Sequence, residues 1–172
     1  MRQYLDASVV VKWFKEKEDY RKESLVIRDQ VIGFESEFVM SHYGLLEVVR
    51  ALVKNDFPKD VIEDSFQSLY DLYEIGALMT VDLNEVLFLA KEIEIELNLY
   101  ASDAVHVASA IHKDCDIFWS VDDHHLKDKT KEFLREYDMN SKHLSEIDSK
   151  NSNPPAHLRA PKMVGRSSYY LL

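Results

Sequence analysis

Three carboxylates stand directly at the junctions of predicted helices and strands, and a fourth lies about one turn into a helix. Asp6 follows a short apolar segment, Asp122 follows the apolar residues 117–121, Asp103 opens a helical segment, and Glu47 lies among apolar residues about one turn into another helix. Carboxylates that converge repel one another, so they stay ionised only if a cation or basic groups compensate them. A divalent metal is the simplest compensation, and oxygen ligands without Cys or His at zinc-like spacing favour Mg²⁺ or Mn²⁺ over Zn²⁺.

The segment of residues 99–111, LYASDAVHVASAI, is predicted to form a closely packed helix. Its small and apolar residues recur at the spacing of one helix face, at Ala104, Val107, Ala108 and Ile111. Ser102 is the predicted N-cap, which places Asp103 in the first turn, where unpaired N–H groups and the helix dipole favour a carboxylate. Taken alone, an acid in this position is more often an ordinary helix-start residue than a metal ligand.

Apolar strand segments alternate with helical segments along the chain. The predicted strands are residues 3–6, 38–40, 78–81 and 117–121, and the predicted helices are residues 8–14, 19–32, 41–52, 58–75, 82–97, 102–111 and 129–137. Residues 8–14 also suit a strand because of three consecutive valines, but Val10, Trp13 and Phe14 have helical spacing. The alternation predicts an α/β fold with a central parallel sheet of four to five strands, in which ligands bind beyond the carboxyl ends of the strands.

Composition limits the class of protein. The chain has 172 residues, 46% of them hydrophobic and 30% charged, which indicates one globular domain. No apolar run is long enough to cross a membrane and the first residues do not read as a secretory signal, so a cytoplasmic protein without membrane contact is expected. The single Cys115 excludes an internal disulfide and a cysteine-based zinc cluster.

Charge is distributed unevenly between two parts of the chain. The net charge is −10, which argues against binding of nucleic acid by general electrostatic attraction but does not exclude a nuclease. All 31 acidic side chains and 17 of the 21 basic ones lie in residues 1–148, which are predicted to form the domain. Residues 149–172 are rich in Pro, Ser and Asn and are predicted to be a basic linker or docking arm, with Tyr169 and Tyr170 stacking on bases or anchoring this arm.

Four sequence blocks resemble one family in their order and spacing: YLDAS, SHYGLLEVVRAL, YASDAVHVASAI and FWSVDDHHL. They are similar to the signature blocks of PIN-domain ribonucleases, and especially to VapC-type toxins of toxin-antitoxin operons. The resemblance covers about residues 2–147 and implies a three-layer α/β/α domain. It also implies an endoribonuclease dependent on Mg²⁺ or Mn²⁺, with an RNA substrate, an antitoxin protein as partner and a homodimeric state.

The resemblance implies roles for individual residues. Metal binding and catalysis fall on Asp6, Glu47, Asp103 and Asp122. Ser8 matches a small hydroxyl residue of the family and Ser120 stands where the family usually has Thr, so both are expected to hold a water at the metal or a phosphate oxygen. Asp123 directly follows Asp122 and stays a candidate for the fourth ligand, although the alignment on Ser120 favours Asp122. His106 is expected to support the ligands by hydrogen bonding rather than to bind the metal.

Simpler interpretations stay open for several of these residues. Glu47 can form an ordinary helix ion pair with Arg50, three residues on. Lys12 can contact phosphate or only solvent. His124 and His125 can touch the metal or carry protons, but a histidine beside an apolar face is usually just hydrogen-bonded.

Three other functions compete with the toxin hypothesis. A housekeeping nuclease for ribosomal or transfer RNA maturation has the same chemistry. A PIN fold used only as a binding module is disfavoured, since all four acids are present. A phosphoacceptor domain of the receiver type needs an early pair of adjacent acids, which the region around Asp6 does not offer.

Overall fold

Five parallel strands form one sheet within residues 1–147, which are the residues that the computed structural model describes. The strands are β1 (Arg2–Leu5), β2 (Glu37–Ser41), β3 (Leu78–Val81), β4 (Ile117–Ser120) and β5 (Asn140–His143). Their order across the sheet is β3-β2-β1-β4-β5, and each neighbouring pair is parallel. The predicted α/β fold with a parallel sheet is confirmed.

Helices cover both faces of the sheet. They are α1 (Ala7–Val10), α2 (Arg21–Ile32), α3 (His42–Lys54), α4 (Lys59–Glu74), α5 (Leu83–Leu97), α6 (Ala101–His112), α7 (Asp123–Leu126) and α8 (Asp128–Arg135). Alternate strand residues point to opposite faces, so Leu5 packs in one core with α1 to α4, while Tyr4 packs in a second core with α5, α6 and α8. These two apolar cores make the domain a three-layer α/β/α structure.

Local capping signals in the sequence account for the start of two helices, α3 and α5. Asp82 and Glu85 form the capping box that opens α5. Ser41 caps α3, because its hydroxyl accepts the backbone N–H of Gly44. Residues 8–14 are helical as expected, since α1 continues into a 3₁₀ turn at Val11–Trp13.

The predicted N-cap of α6 is wrong by two residues. The helix begins at Ala101 and its N-cap position is Tyr100, whose backbone is extended and whose carbonyl accepts the N–H of Ala104 at 3.0 Å. Ser102 therefore lies inside the first turn, where its hydroxyl donates to Asp103 at 3.3 Å. Asp103 remains in the first turn, so its predicted position at the start of the helix is unchanged.

The edge strand β5 lies in a stretch with no strand signal. Its sequence, NSKH, lacks the apolar alternation of a half-buried strand, and β5 is stabilised mainly by its backbone pairing with β4. The helix predicted for residues 129–137 ends at Arg135, because the chain must turn back to reach this edge.

No helix of residues 1–147 is both long and apolar enough to cross a membrane. The extension of residues 149–172, with Tyr169 and Tyr170, lies outside the described residues. The boundary proposed at residue 148 therefore stays a prediction.

Candidate metal centre

Asp6 stands at the carboxyl end of the central strand β1. Its backbone N–H donates to the carbonyl of Trp119 at 3.1 Å, and its carbonyl accepts the N–H of Val9 at 3.0 Å as α1 begins. Asp6 occupies the N-cap position of α1, but its side chain makes no capping hydrogen bond. Asp6 is only 4% exposed, and it lines the pocket instead.

A pocket of about 140 Å³ opens at this end of the sheet. The residues that line it are Asp6, Ala7, Ser8, Val11, Glu47, Ala51, Asp103, Asp122, His106 and His125. The fold therefore brings together Asp6, Glu47, Asp103 and Asp122, the four carboxylates selected from the sequence. Asp123 is exposed in the first turn of α7 and does not line the pocket.

Two hydroxyls hold the carboxylate of Asp6. Its Oδ2 accepts a hydrogen bond from Ser120 Oγ at 2.9 Å and another from Ser8 Oγ. Ser8 Oγ in turn accepts the N–H of Val121 at 3.1 Å, and Ser120 Oγ accepts the N–H of Asp122 at 2.9 Å. The serines thus fix one oxygen of Asp6 and tie it to the turn that carries Asp122.

His106 connects two of the carboxylates. Its Nε2 is hydrogen-bonded to Glu47 Oε2 and lies 3.4 Å from Asp6 Oδ1, while its Nδ1 lies 2.8 Å from the hydroxyl of Tyr4. That hydroxyl accepts the backbone N–H of Ser41 at 3.1 Å. The imidazole is 1% exposed and is held at both of its nitrogens by these contacts. Tyr4, for which the sequence analysis named no role, is part of this network.

Among the described residues, Glu47 and Lys12 each have an ion-pair partner that the sequence did not indicate. Glu47 pairs with His106, and no ion pair within residues 1–147 joins it to Arg50. Lys12 is buried and pairs with Glu18 at 3.3 Å. The side chain of His124 lies outside what the structure describes.

His125, for which the sequence left open a contact with the metal, a proton-carrying role or ordinary hydrogen bonding, reaches the site. Its Nδ1 lies 3.3 Å from Ser120 Oγ and 3.7 Å from Asp6 Oδ2, and its Nε2 lies 3.8 Å from Asp103 Oδ1. The sequence signal for this position is that His125 lies three residues after Asp122. Helix α7 begins at Asp123, and its first turn brings His125 over the pocket.

The carboxylates and His125 shift one another's pKa values. Burial raises the pKa of Asp6, but the contact with His125 and the charges of His106 and His125 outweigh burial and hold it far below its usual range. Burial raises the pKa of Asp103, and the charges of Asp122 and Asp6 raise it further. The charge of His125 lowers it, but the pKa of Asp103 remains above its ordinary value. Burial lowers the pKa of His125, but Asp6, Asp103 and Asp122 together raise it above the ordinary value. The pocket is therefore a region of negative potential that favours a cation.

Two buried atoms at this site have no hydrogen-bond partner: Oδ2 of Asp103 and Nε2 of His125. Buried polar atoms are nearly always paired, because leaving one unpaired costs free energy. Together with the group of Asp6, Glu47 and His106, whose candidate ligand atoms lie within 4.8 Å of one another, these unpaired atoms fit a site that could hold a metal ion.

Sheet and pocket together define an α/β domain with an acidic site at the carboxyl ends of its parallel strands. The model of the PIN domain family matches residues 3–132, and the chain belongs to this family. The membership expected from the four sequence blocks is thus confirmed. Among curated proteins, none matches the chain.

Two solved structures are similar in fold. One is a structure of FitAB bound to IR36 DNA fragment, with 14% identity, a TM-score of 0.58, and coverage of 85% of this chain and 97% of the other. The second is VapBC2 from Rickettsia felis bound to a DNA fragment from their promoter, with 17% identity, a TM-score of 0.52, and coverage of 83% and 98%. At this level of identity they establish likeness of fold alone.

Proposed function

We propose that this protein is an endoribonuclease dependent on a divalent metal ion, Mg²⁺ or Mn²⁺. The observation that carries the proposal is the convergence of Asp6, Glu47, Asp103 and Asp122 on one pocket at the carboxyl edge of the sheet. Membership of the PIN family supports it, since PIN domains are generally nucleases.

The four carboxylates would hold the metal, and hard oxygen ligands suit both proposed ions. When bound, the metal supplies positive charge that offsets the negative charge building on the phosphoryl oxygens as a nucleophile attacks in line. Ser8 and Ser120 keep Asp6 in one orientation, and His106 holds Glu47 beside it. These contacts fix the acids before substrate arrives, which lowers the reorganisation that the reaction requires.

The mouth of the pocket is where we place the RNA backbone. Glu47 and Asp122 are partly exposed, whereas Asp6 and Asp103 are buried, so substrate approaches past the first two. Because the chain carries a net charge of −10, contact with RNA depends on the metal and on a local basic strip or a second subunit.

We further propose that the nuclease is the toxin of a toxin-antitoxin pair, inhibited by an antitoxin and acting as a homodimer. The structures of FitAB and of VapBC2 from Rickettsia felis, with which this chain shares its fold, support this role. The preserved acids speak against a purely binding role.

Cleavage of a single-stranded RNA with Mg²⁺ or Mn²⁺, compared with the same reaction in EDTA, tests the chemistry. We expect Asp103→Asn and Asp122→Asn to lose activity by roughly 10³-fold or more, as removal of metal ligands does. Asp123→Asn is the matched control, since Asp123 is exposed and outside the pocket, and it should retain activity. Full activity of Asp103→Asn would refute the mechanism, and loss of activity in Asp123→Asn alone would reassign the fourth ligand.

Expression in a bacterial host tests the toxin role separately. Growth arrest that depends on Asp103, and rescue by the product of a small neighbouring reading frame, are the expected results. Cleavage of RNA in vitro without growth arrest would instead favour an RNA-processing nuclease.

A further inference from the structure

Two buried histidines enter the carboxylate pocket from different helices. His106 comes from α6 and His125 from α7, each is 1% exposed, and their ring centroids are 5.9 Å apart. Both histidines therefore place a ring nitrogen at a site for which the family resemblance implies only carboxylate ligands.

One nitrogen of His106 is placed like a metal ligand. Its Nε2 and one oxygen each of Asp6 and Glu47 lie within 4.8 Å of one another. Metal–nitrogen and metal–oxygen bonds are about 2.0–2.2 Å, so two ligands of one ion are about 3–4 Å apart. The separation of 3.4 Å between Nε2 and Asp6 Oδ1 falls in this interval.

The other nitrogen of His106 is held as it is in many metal-binding histidines. Nδ1 lies 2.8 Å from the Tyr4 hydroxyl, whose oxygen also accepts the backbone N–H of Ser41 at 3.1 Å. With Nδ1–H donated to this oxygen, Nε2 offers a lone pair to a metal once the proton that it shares with Glu47 has left. Such a partner on the far side of the ring fixes both its orientation and its tautomer.

A second observation points to a ligand in this pocket. Nε2 of His125 and Oδ2 of Asp103 are buried without a hydrogen-bond partner, and both residues line the pocket. The side chain of His125 is 2% exposed, so bulk water does not satisfy its nitrogen. An ion in the pocket, with the water it brings, would do so.

We propose that His106 is a direct nitrogen ligand of the metal, together with Asp6 and Glu47, and that the site therefore takes Mn²⁺ in preference to Mg²⁺. The inference rests on the proposed metal dependence and deepens it. Imidazole suits transition-metal ions, whereas Mg²⁺ prefers oxygen ligands and gives up its waters reluctantly. Binding replaces the proton that Nε2 shares with Glu47, and this proton leaves to solvent.

Pulsed EPR of the protein loaded with Mn²⁺ tests the proposal without any mutation. We expect a ¹⁴N coupling that changes to the ¹⁵N pattern when only histidine is labelled. His125→Gln assigns the coupling: a signal that persists in this variant supports His106, and one that disappears with His125 overturns the proposal. A nitrogen coupling that survives in His106→Gln also overturns the proposal.

Binding of Mn²⁺ and Mg²⁺, measured by calorimetry, gives the second test. In His106→Gln we expect Mn²⁺ affinity to fall about tenfold or more while Mg²⁺ affinity changes less than about threefold. The matched control is His112→Gln on the same helix, because His112 pairs with Glu85 outside the pocket. Equal losses for both ions would overturn the proposal.

The outcomes separate this inference from the proposed function. Mn²⁺ bound through oxygen alone in a protein that still cleaves RNA refutes the inference and leaves the nuclease standing. Absence of Mn²⁺ binding overturns the inference, and absence of binding of both Mn²⁺ and Mg²⁺ overturns the proposed function as well. Nitrogen-coupled Mn²⁺ in a protein that does not cleave RNA supports the inference and counts against the nuclease.

Discussion

Gly44 and His106 approach each other so closely that a β-carbon on residue 44 would lie 3.0 Å from Cε1 of the imidazole. The same β-carbon would lie 2.9 Å from Cε of Met40. The end of Met40 is flexible and can move aside, but the ring of His106 is hydrogen-bonded at both nitrogens. The absence of a side chain at Gly44 therefore sets the position of His106 beside Asp6 and Glu47.

Gly44→Ala should disturb the site more than the fold. Overpacking of a buried contact costs about 1–3 kcal/mol, which a denaturant titration measures. Because the imidazole must shift, we expect metal affinity to fall several-fold in a variant that remains folded. Leu46→Ala on the same helix is the control, since Leu46 is exposed and should affect neither quantity strongly. Unchanged metal affinity in Gly44→Ala would show that the His106 ring tolerates displacement.

Tyr4→Phe removes the hydroxyl that joins His106 to the backbone of Ser41. The buried N–H of Ser41 and Nδ1 of His106 then lose their partner, and an unsatisfied buried group costs about 1–3 kcal/mol. Tyr137→Phe, at a half-exposed position, should be nearly neutral. Equal effects of the two substitutions in thermal unfolding would contradict the role given to the Tyr4 hydroxyl.

Asp103→Asn should stabilise the metal-free protein at neutral pH. The folded state raises the pKa of Asp103, mainly through burial, so the ionised carboxylate lowers stability at every pH above its unfolded pKa. This penalty disappears as the pH falls below that value. In EDTA at pH 7 we expect the variant to melt about 2 °C or more above the wild type, with the difference shrinking towards pH 4. A lower melting temperature at pH 7 would mean that Asp103 stabilises the fold.

Cys115 should be inert to thiol reagents in the folded protein. It is 2% exposed, and burial raises the pKa of its thiol to about 12. The thiolate is the reactive form, so a colorimetric thiol assay at pH 8 should give no reaction within minutes and one thiol per chain in denaturant. Rapid reaction of the native protein would indicate local opening near the start of β4. The assay also reports whether each variant above is folded.

The sequence predicted strands and helices correctly where the local signals match the packing in the folded domain. The capping box at Asp82 and the apolar run at residues 117–121 are examples, since both depend on neighbours in the chain. The predicted start of α6 was wrong by two residues. The helix begins after Tyr100, whose side chain makes no capping hydrogen bond, and not at the hydroxyl of Ser102. The strand at Asn140–His143 was missed because its pairing with β4 comes from residues distant in sequence.

The sequence by itself determined that this chain forms a parallel α/β domain, that Asp6, Asp103 and Asp122 stand at the ends of its elements, and that Glu47 lies about one turn into a helix. Those results follow from periodicity and from the rule that parallel strands end at one edge. Only the tertiary structure decided that Asp122 rather than Asp123 lines the pocket, that Glu47 contacts His106 rather than Arg50, and that His125 lies beside Asp6 and Asp103. These are distances of a few ångströms between separate elements, and they depend on how closely the helices pack on the sheet.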